Sequence, residues 1–158
     1  MKKLLTIMLL LLAGTAWGGD FEDGYAAYLK NNYPVAIAKL KLAAAQGNAG
    51  AQTIIGSMYY YGRGVIQDYA EAFKWYKLAA AQGHAQAQFD IGLMYRNGEG
   101  VLPNDVRAHM WFNLSAVGGD AAAAQLRGLA AAEMTTQQIA EAQKLARECQ
   151  ARNFKHCD

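Results

Sequence analysis

The sequence predicts an all-α fold of about eight helices, paired antiparallel and stacked into a solenoid. Three observations lead there. The chain repeats itself at an offset of 36 residues, its apolar residues recur with the helical period, and 31 of its 158 residues are alanine. Small side chains in that number let helices approach closely, while the 11% of aromatic residues fill the wider gaps. A disordered chain is excluded by the same composition, 53% hydrophobic against 18% charged.

Residues 1–18 read as a secretory signal peptide. Lys2 and Lys3 form its positive start, Leu4 to Ala13 an apolar run, and Gly14, Ala16 and Gly18 the small residues before cleavage. Cleavage is expected after Gly18, with Ala16 as the alternative. An uncleaved anchor is the competing reading, but the run is short for a bilayer that needs about twenty apolar residues. The mature protein is expected to be exported, periplasmic or secreted, with no integral membrane segment. Without Lys2 and Lys3, 13 basic residues face 13 acidic ones. That balance argues against a nucleic-acid partner held through its phosphates.

The repeat is in register without a gap. Ala51, Gln52, Gly56, Met58, Tyr59, Gly62, Gly64, Val65, Ala72 and Trp75 fall on Ala87, Gln88, Gly92, Met94, Tyr95, Gly98, Gly100, Val101, Ala108 and Trp111. Residues 20–47 then form a degenerate first unit, 48–83 and 84–119 two clear repeats, 120–152 a degenerate capping unit and 153–158 a tail. The expected helices are 20–31, 33–46, 49–61, 68–82, 85–97, 104–117, 121–133 and 136–151.

Each boundary has a cause. In the first helix of the central unit, Ala51, Ile55, Met58 and Tyr59 make a buried stripe, and Gly62 ends it. Asp68 caps the second helix, with Glu71 completing a capping box. Ala72, Trp75, Tyr76 and Ala79 face inward there. Asn104 and Arg107 replace Asp68 and Glu71 one unit on, so a weaker cap is expected. Asn48, His84 and Asp120 share the slot before each first helix, which makes His84 a cap or surface residue. Thr135 with Gln138 opens a last helix whose Ile139, Ala142, Ala146 and Cys149 share one side.

The two stretches AGAQTIIGSMYYYGRGVIQDYAEAFKWYKLAAAQG and AQAQFDIGLMYRNGEGVLPNDVRAHMWFNLSAVGG resemble consecutive Sel-1-like repeats, relatives of the tetratricopeptide repeat with a longer glycine-bearing loop. The resemblance implies a right-handed α-solenoid that acts as a non-catalytic adaptor or scaffold, holding other proteins on its concave surface. A disulfide-rich exported branch of the family has been linked to β-lactam binding or hydrolysis. That branch carries a cysteine pair in repeat after repeat, whereas this chain has only Cys149 and Cys157.

Export favours joining that pair into a disulfide folding the tail against the last helix, with two unconnected thiols as the alternative. Spacing alone cannot check the geometry. His156 beside Cys157 is a weak metal candidate without a fourth ligand, so neither a metal nor a cofactor is expected. No catalytic constellation emerges. Ser57 and Ser115 have no lysine three residues on and sit in no nucleophile elbow. The G-x-G pairs at 62–64 and 98–100 follow helices rather than strands, which makes them loop turns. His84, His109 and His156 share no metal spacing, and His109 reads as a partly buried structural residue.

A protein or peptide of the cell envelope is the expected partner. The first helices of the repeats offer Thr53, Ser57, Tyr60 and Tyr61, then Phe89, Leu93, Arg96 and Asn97, off the buried stripe. Identities differ at equivalent positions, as a recognition surface requires, and tyrosine, phenylalanine and arginine dominate interface energetics. The competing reading is self-association through the degenerate ends, where Phe21, Tyr25 and Tyr28 lack a preceding repeat.

Overall fold

The computed structural model describes residues 19–157; the signal-peptide reading falls outside them. The described residues form eight helices and no strand. They are α1 (19–29), α2 (Tyr33–Ala45), α3 (Ala49–Tyr61), α4 (Tyr69–Ala80), α5 (Ala85–Asn97), α6 (Asp105–Val117), α7 (Ala121–Ala132) and α8 (Thr136–Ala151). The starts and ends lie within two residues of the sequence expectation. No helix among them is long and apolar enough to cross a membrane.

The core of each central unit is a glycine on the first helix with an aromatic ring of the second laid on it. A Cβ at Gly56 would come within 2.7 Å of the Tyr76 ring, and one at Gly92 within 2.6 Å of Phe112. Both pairs obey the 36-residue shift. The first unit uses the same seat with an aliphatic side chain, Gly24 against Leu40 at 2.9 Å. Leu40 is the shifted copy of Tyr76, but Gly24 lies four positions later than the shift would put it, because the loop between α1 and α2 is shorter. Gly128 on α7 is the next copy of the seat, and nothing lies within 4 Å of it. Helix α8 packs instead on α6.

Units join through two further contacts that recur. The Gln52 amide donates to the carbonyl of Ala44 at the end of α2, and Gln88 to that of Ala80 at the end of α4, at 3.2 and 3.4 Å. Both glutamines are buried, and each bond is a second one to a carbonyl that already accepts the amide of Gly47 or Gly83. Each loop also presses on the start of the preceding second helix. Gly100 has φ +72°, and a Cβ there would lie 2.6 Å from the carbonyl oxygen of Tyr69. Both the left-handed backbone and the close approach demand glycine at this point. Gly64, also at φ +72°, lies against Tyr33, the shifted copy of Tyr69, but meets its side-chain Cβ rather than its carbonyl.

The caps correct one expectation. Asp68 accepts from the Glu71 amide at 2.9 Å, but the Glu71 carboxylate turns away to Lys74 at 2.9 Å, so the box is half formed. The Asn104 cap is no longer than its charged counterpart, 2.9 Å to the Arg107 amide, and Asp105 supplies an acid in the first turn. Thr135 and Gln138 do form a full capping box. The inward stripe of α4 also differs: Ala72, Tyr76, Ala79 and Ala80 are buried, while Trp75 is half-buried and its copy Trp111 fully so. His109 is buried rather than partly so.

Cys149 and Cys157 are joined in a disulfide, with Cα atoms 5.0 Å apart. The tail it closes reaches past the last helix. Phe154 lies on Gly83, in the α4–α5 connection, where a Cβ would meet its ring at 2.9 Å. Arg107 of α6 donates to the Cys157 carbonyl at 3.3 Å.

The seats and the tail set the outcome of three substitutions. Gly92→Ala costs about 1–3 kcal/mol in urea unfolding, since overpacking against a buried ring outweighs the helix propensity gained. Gly128→Ala, at the empty seat, gains about 0.5–1 kcal/mol by the same measurement. Replacing both cysteines by serine lowers stability by about 2.5 kcal/mol, and the thermal midpoint of that variant no longer responds to dithiothreitol.

Candidate functional site

Helix α3 packs on α4 and α4 on α5, while the backbones of α3 and α5 make few close approaches to each other. The face between α3 and α5 is the candidate groove, with Tyr76 of α4 packed beneath it and itself buried. The Tyr76 ring lies on Gly56 of α3, its hydroxyl is bonded to Ser57, and the Asp90 carboxyl of α5 lies close enough to act on it. Burial, with the charge of Asp90, keeps this phenol protonated well above the ordinary range.

The residues singled out in the sequence fall into three groups. Thr53 is only 7% exposed, donates to the Ala49 carbonyl at 2.8 Å and lies 3.1 Å from Nδ1 of His84. With its one proton committed to Ala49, the threonine oxygen accepts from His84, which places the imidazole proton on Nδ1. Burial lowers the His84 pKa, so the ring is neutral at pH 7. His84 thus occupies the N-cap position without capping; its side chain ties α5 back to α3. Thr53 belongs to that tie rather than to an open recognition face.

Tyr60 and Arg96, copies of one another, each reach a carboxylate of the following unit. Tyr60 donates to Glu99 at 2.6 Å, and Arg96 pairs with Glu133 at 3.7 Å. Burial, reinforced by Glu99, pushes the Tyr60 pKa up. Phe89 packs on Phe112, ring centroids 5.9 Å apart, and Leu93 is half-buried beside the same cluster. Ser57 is half-buried at the groove floor. Tyr61, 59% exposed, and Asn97 are the open members. Tyr61 is held edge-on to Tyr60 and under the Arg63 guanidinium, 5.0 Å from its centroid.

Sequence reasoning missed Asp90. It is half-buried, on one stripe of α5 with Gln86, Leu93 and Asn97, and its one hydrogen bond is from the Gln86 amide at 3.3 Å. Burial pushes the carboxyl up to about 7, partly opposed by Gln86 and assisted by Asp120. The signal was in the repeat itself, because Asp90 falls on Ile54 under the 36-residue shift. Among the described residues no group of three His, Cys, Asp or Glu side chains could hold a metal ion.

The raised Asp90 value fixes the sign of a pH effect. Between the ordinary carboxylate range and about 7, the folded chain holds a proton that the unfolded chain has released, so this group makes stability fall as pH rises through that window. Asp90→Asn removes the effect. The variant should gain on the parent from pH 4 to pH 7, by on the order of 2 kcal/mol at the top, in parallel urea titrations. A gap that does not change with pH would contradict this assignment.

The Sel1 repeat family model matches residues 49–84 and 85–120. A protective antigen present in uropathogenic Escherichia coli strains, whose crystal structure displays an SLR fold, superposes with a TM-score of 0.80 at 25% identity, over 87% of this chain and 30% of its own. A Sel1 repeat protein from Oxalobacter formigenes superposes with a TM-score of 0.67 at 37% identity, over 69% of this chain and 45% of its own. The chain thus spans less than half the length of either. No curated protein matches it. The repeat register, the glycine seats and these likenesses agree that the chain is a Sel1-repeat protein with an α-solenoid fold.

Proposed function

We propose that this protein is an exported, non-catalytic adaptor that binds an extended segment of an envelope protein in the α3–α5 groove. Sel1-repeat solenoids serve as scaffolds for protein–protein interaction. The observation that carries the reading to this face is the contrast between core and groove. Residues that hold the units together are duplicated across the shift, as in Gln52 and Gln88 or Gly56 and Gly92, while those lining the open side are not. Ser57 stands against Leu93, Tyr61 against Asn97 and Ile54 against Asp90. The disulfide is compatible with an oxidising compartment.

The least committed residues make the cleanest test. Alanine at Tyr60, Arg96 or Phe89 would break the bond to Glu99, the pair with Glu133 or the contact with Phe112. Tyr61 and Asn97 are exposed, and their own contacts, with Tyr60 and Arg63 and with Glu99 at 3.2 Å, lie at the surface. The Tyr61→Ala/Asn97→Ala variant should keep the parent's unfolding midpoint and recover at least about tenfold less of a discrete envelope protein after cross-linking and affinity capture. Equal recovery by parent and variant would place the partner elsewhere. A cross-linked homodimer alone would favour self-association through the α1 face, where Tyr25 and Leu29 are 43% and 62% exposed.

A further inference from the structure

The polar side chains of the α3–α5 groove are all departures from the repeat. Ser57 stands where α5 has Leu93, Tyr76 where α6 has Phe112, and Asp90 where α3 has Ile54. They come from three helices and converge on one place. The matching position one unit on is floored by Phe112, with Phe89 and Leu93 against it, and is apolar throughout. Two copies of one unit therefore build neighbouring surfaces of opposite chemistry. Packing does not require the polar one, since isoleucine, leucine and phenylalanine fill the equivalent positions.

Asp90 lacks a charged partner there. Its hydrogen bond is from a neutral amide, and no ion pair joins it to a cation among the described residues. The basic side chains on this face are committed: Arg96 to Glu133, and Arg63 to the hydroxyl of Tyr28 and the ring of Tyr61. His84 is bonded to Thr53. Asp120, at the start of α7, adds a second negative charge within reach of Asp90.

We propose that the α3–α5 groove seats a lysine or arginine side chain of an extended peptide, its cation paired with Asp90 and its stem along Tyr61 and Leu93. The inference rests on the reading of this face as a peptide-binding surface, and charge complementarity selects the occupant. An ammonium or guanidinium cannot aim all of its donors at a single carboxylate. The half-buried Ser57 hydroxyl is placed to accept another, and the exposed Tyr61 ring lies alongside. A cation pairs with the ionised carboxylate, whereas against a neutral side chain of the same shape burial drives Asp90 toward its protonated form and no ion pair is gained.

The probe is a phage-displayed library of random 12-residue peptides, selected on the immobilised protein at neutral pH. The selected peptides should share a lysine or arginine at one position. A synthetic peptide of the commonest sequence should weaken at least tenfold when that residue becomes citrulline or norleucine. It should weaken as much against Asp90→Asn, and less against Asp90→Glu. Circular dichroism and the unfolding midpoint of Asp90→Asn separate lost binding from lost fold. Selected peptides without a shared cation, or a cation dependence that survives Asp90→Asn, overturn the inference and leave the groove reading standing. Selection of no peptide overturns both.

Discussion

The structure depends on how closely the two helices of a unit can approach. A ring lying on a helix that bears no Cβ at that point brings the two backbones together along their length, and the alanines at 51, 72, 79, 87 and 108 continue that proximity in both directions. The seat fixes the depth of the second helix, which fixes where the loop can return, and the loop in turn sets the position of the next unit through Gly64 on Tyr33 and Gly100 on Tyr69. One steric condition, repeated, generates the array. Where it is not met, at Gly128, the geometry changes and α8 leans on α6.

The same condition explains how a duplicated scaffold carries an unduplicated surface. The side chain in the seat also floors the space between successive first helices, so exchanging Phe112 for Tyr76 alters the groove without disturbing the packing. A hydroxyl at the far edge of a ring costs the core little when Ser57 is there to bond it. Polar side chains can therefore stand at positions 57, 76 and 90 while the frame stays fixed.

Fold and register were legible in the sequence because the repeat shows directly which positions must be equal. Helix ends followed, since Asn48, Asp68, Asn104, Asp120 and Thr135 each bond a backbone amide three residues on. The site was only partly legible, because periodicity tells which face a residue is on but not what lies opposite. Thr53 is on the right helix and is covered by His84 of the next unit. Glu71 has the right spacing for a box and prefers a lysine one turn on. Asp90 carries no aromatic or basic signature of an interface, and only its mismatch with Ile54 under the shift marks it. The reach of Phe154 to Gly83 joins residues 71 positions apart, and no local pattern encodes it.

That long contact changes how the array comes apart. In a linear stack each unit touches only its neighbours, so unravelling can begin at either end. Here the disulfide holds the tail to α8, the tail holds the α4–α5 connection, and Arg107 holds the tail to α6. The C-terminal helices are thereby stapled across two units and leave together or not at all. Fraying is left to the opposite end, where α1 and α2 are joined to each other by the Lys39–Asp20 pair and to the rest chiefly through α3. A string of repeats with one end fastened back on itself has one end left from which to unravel.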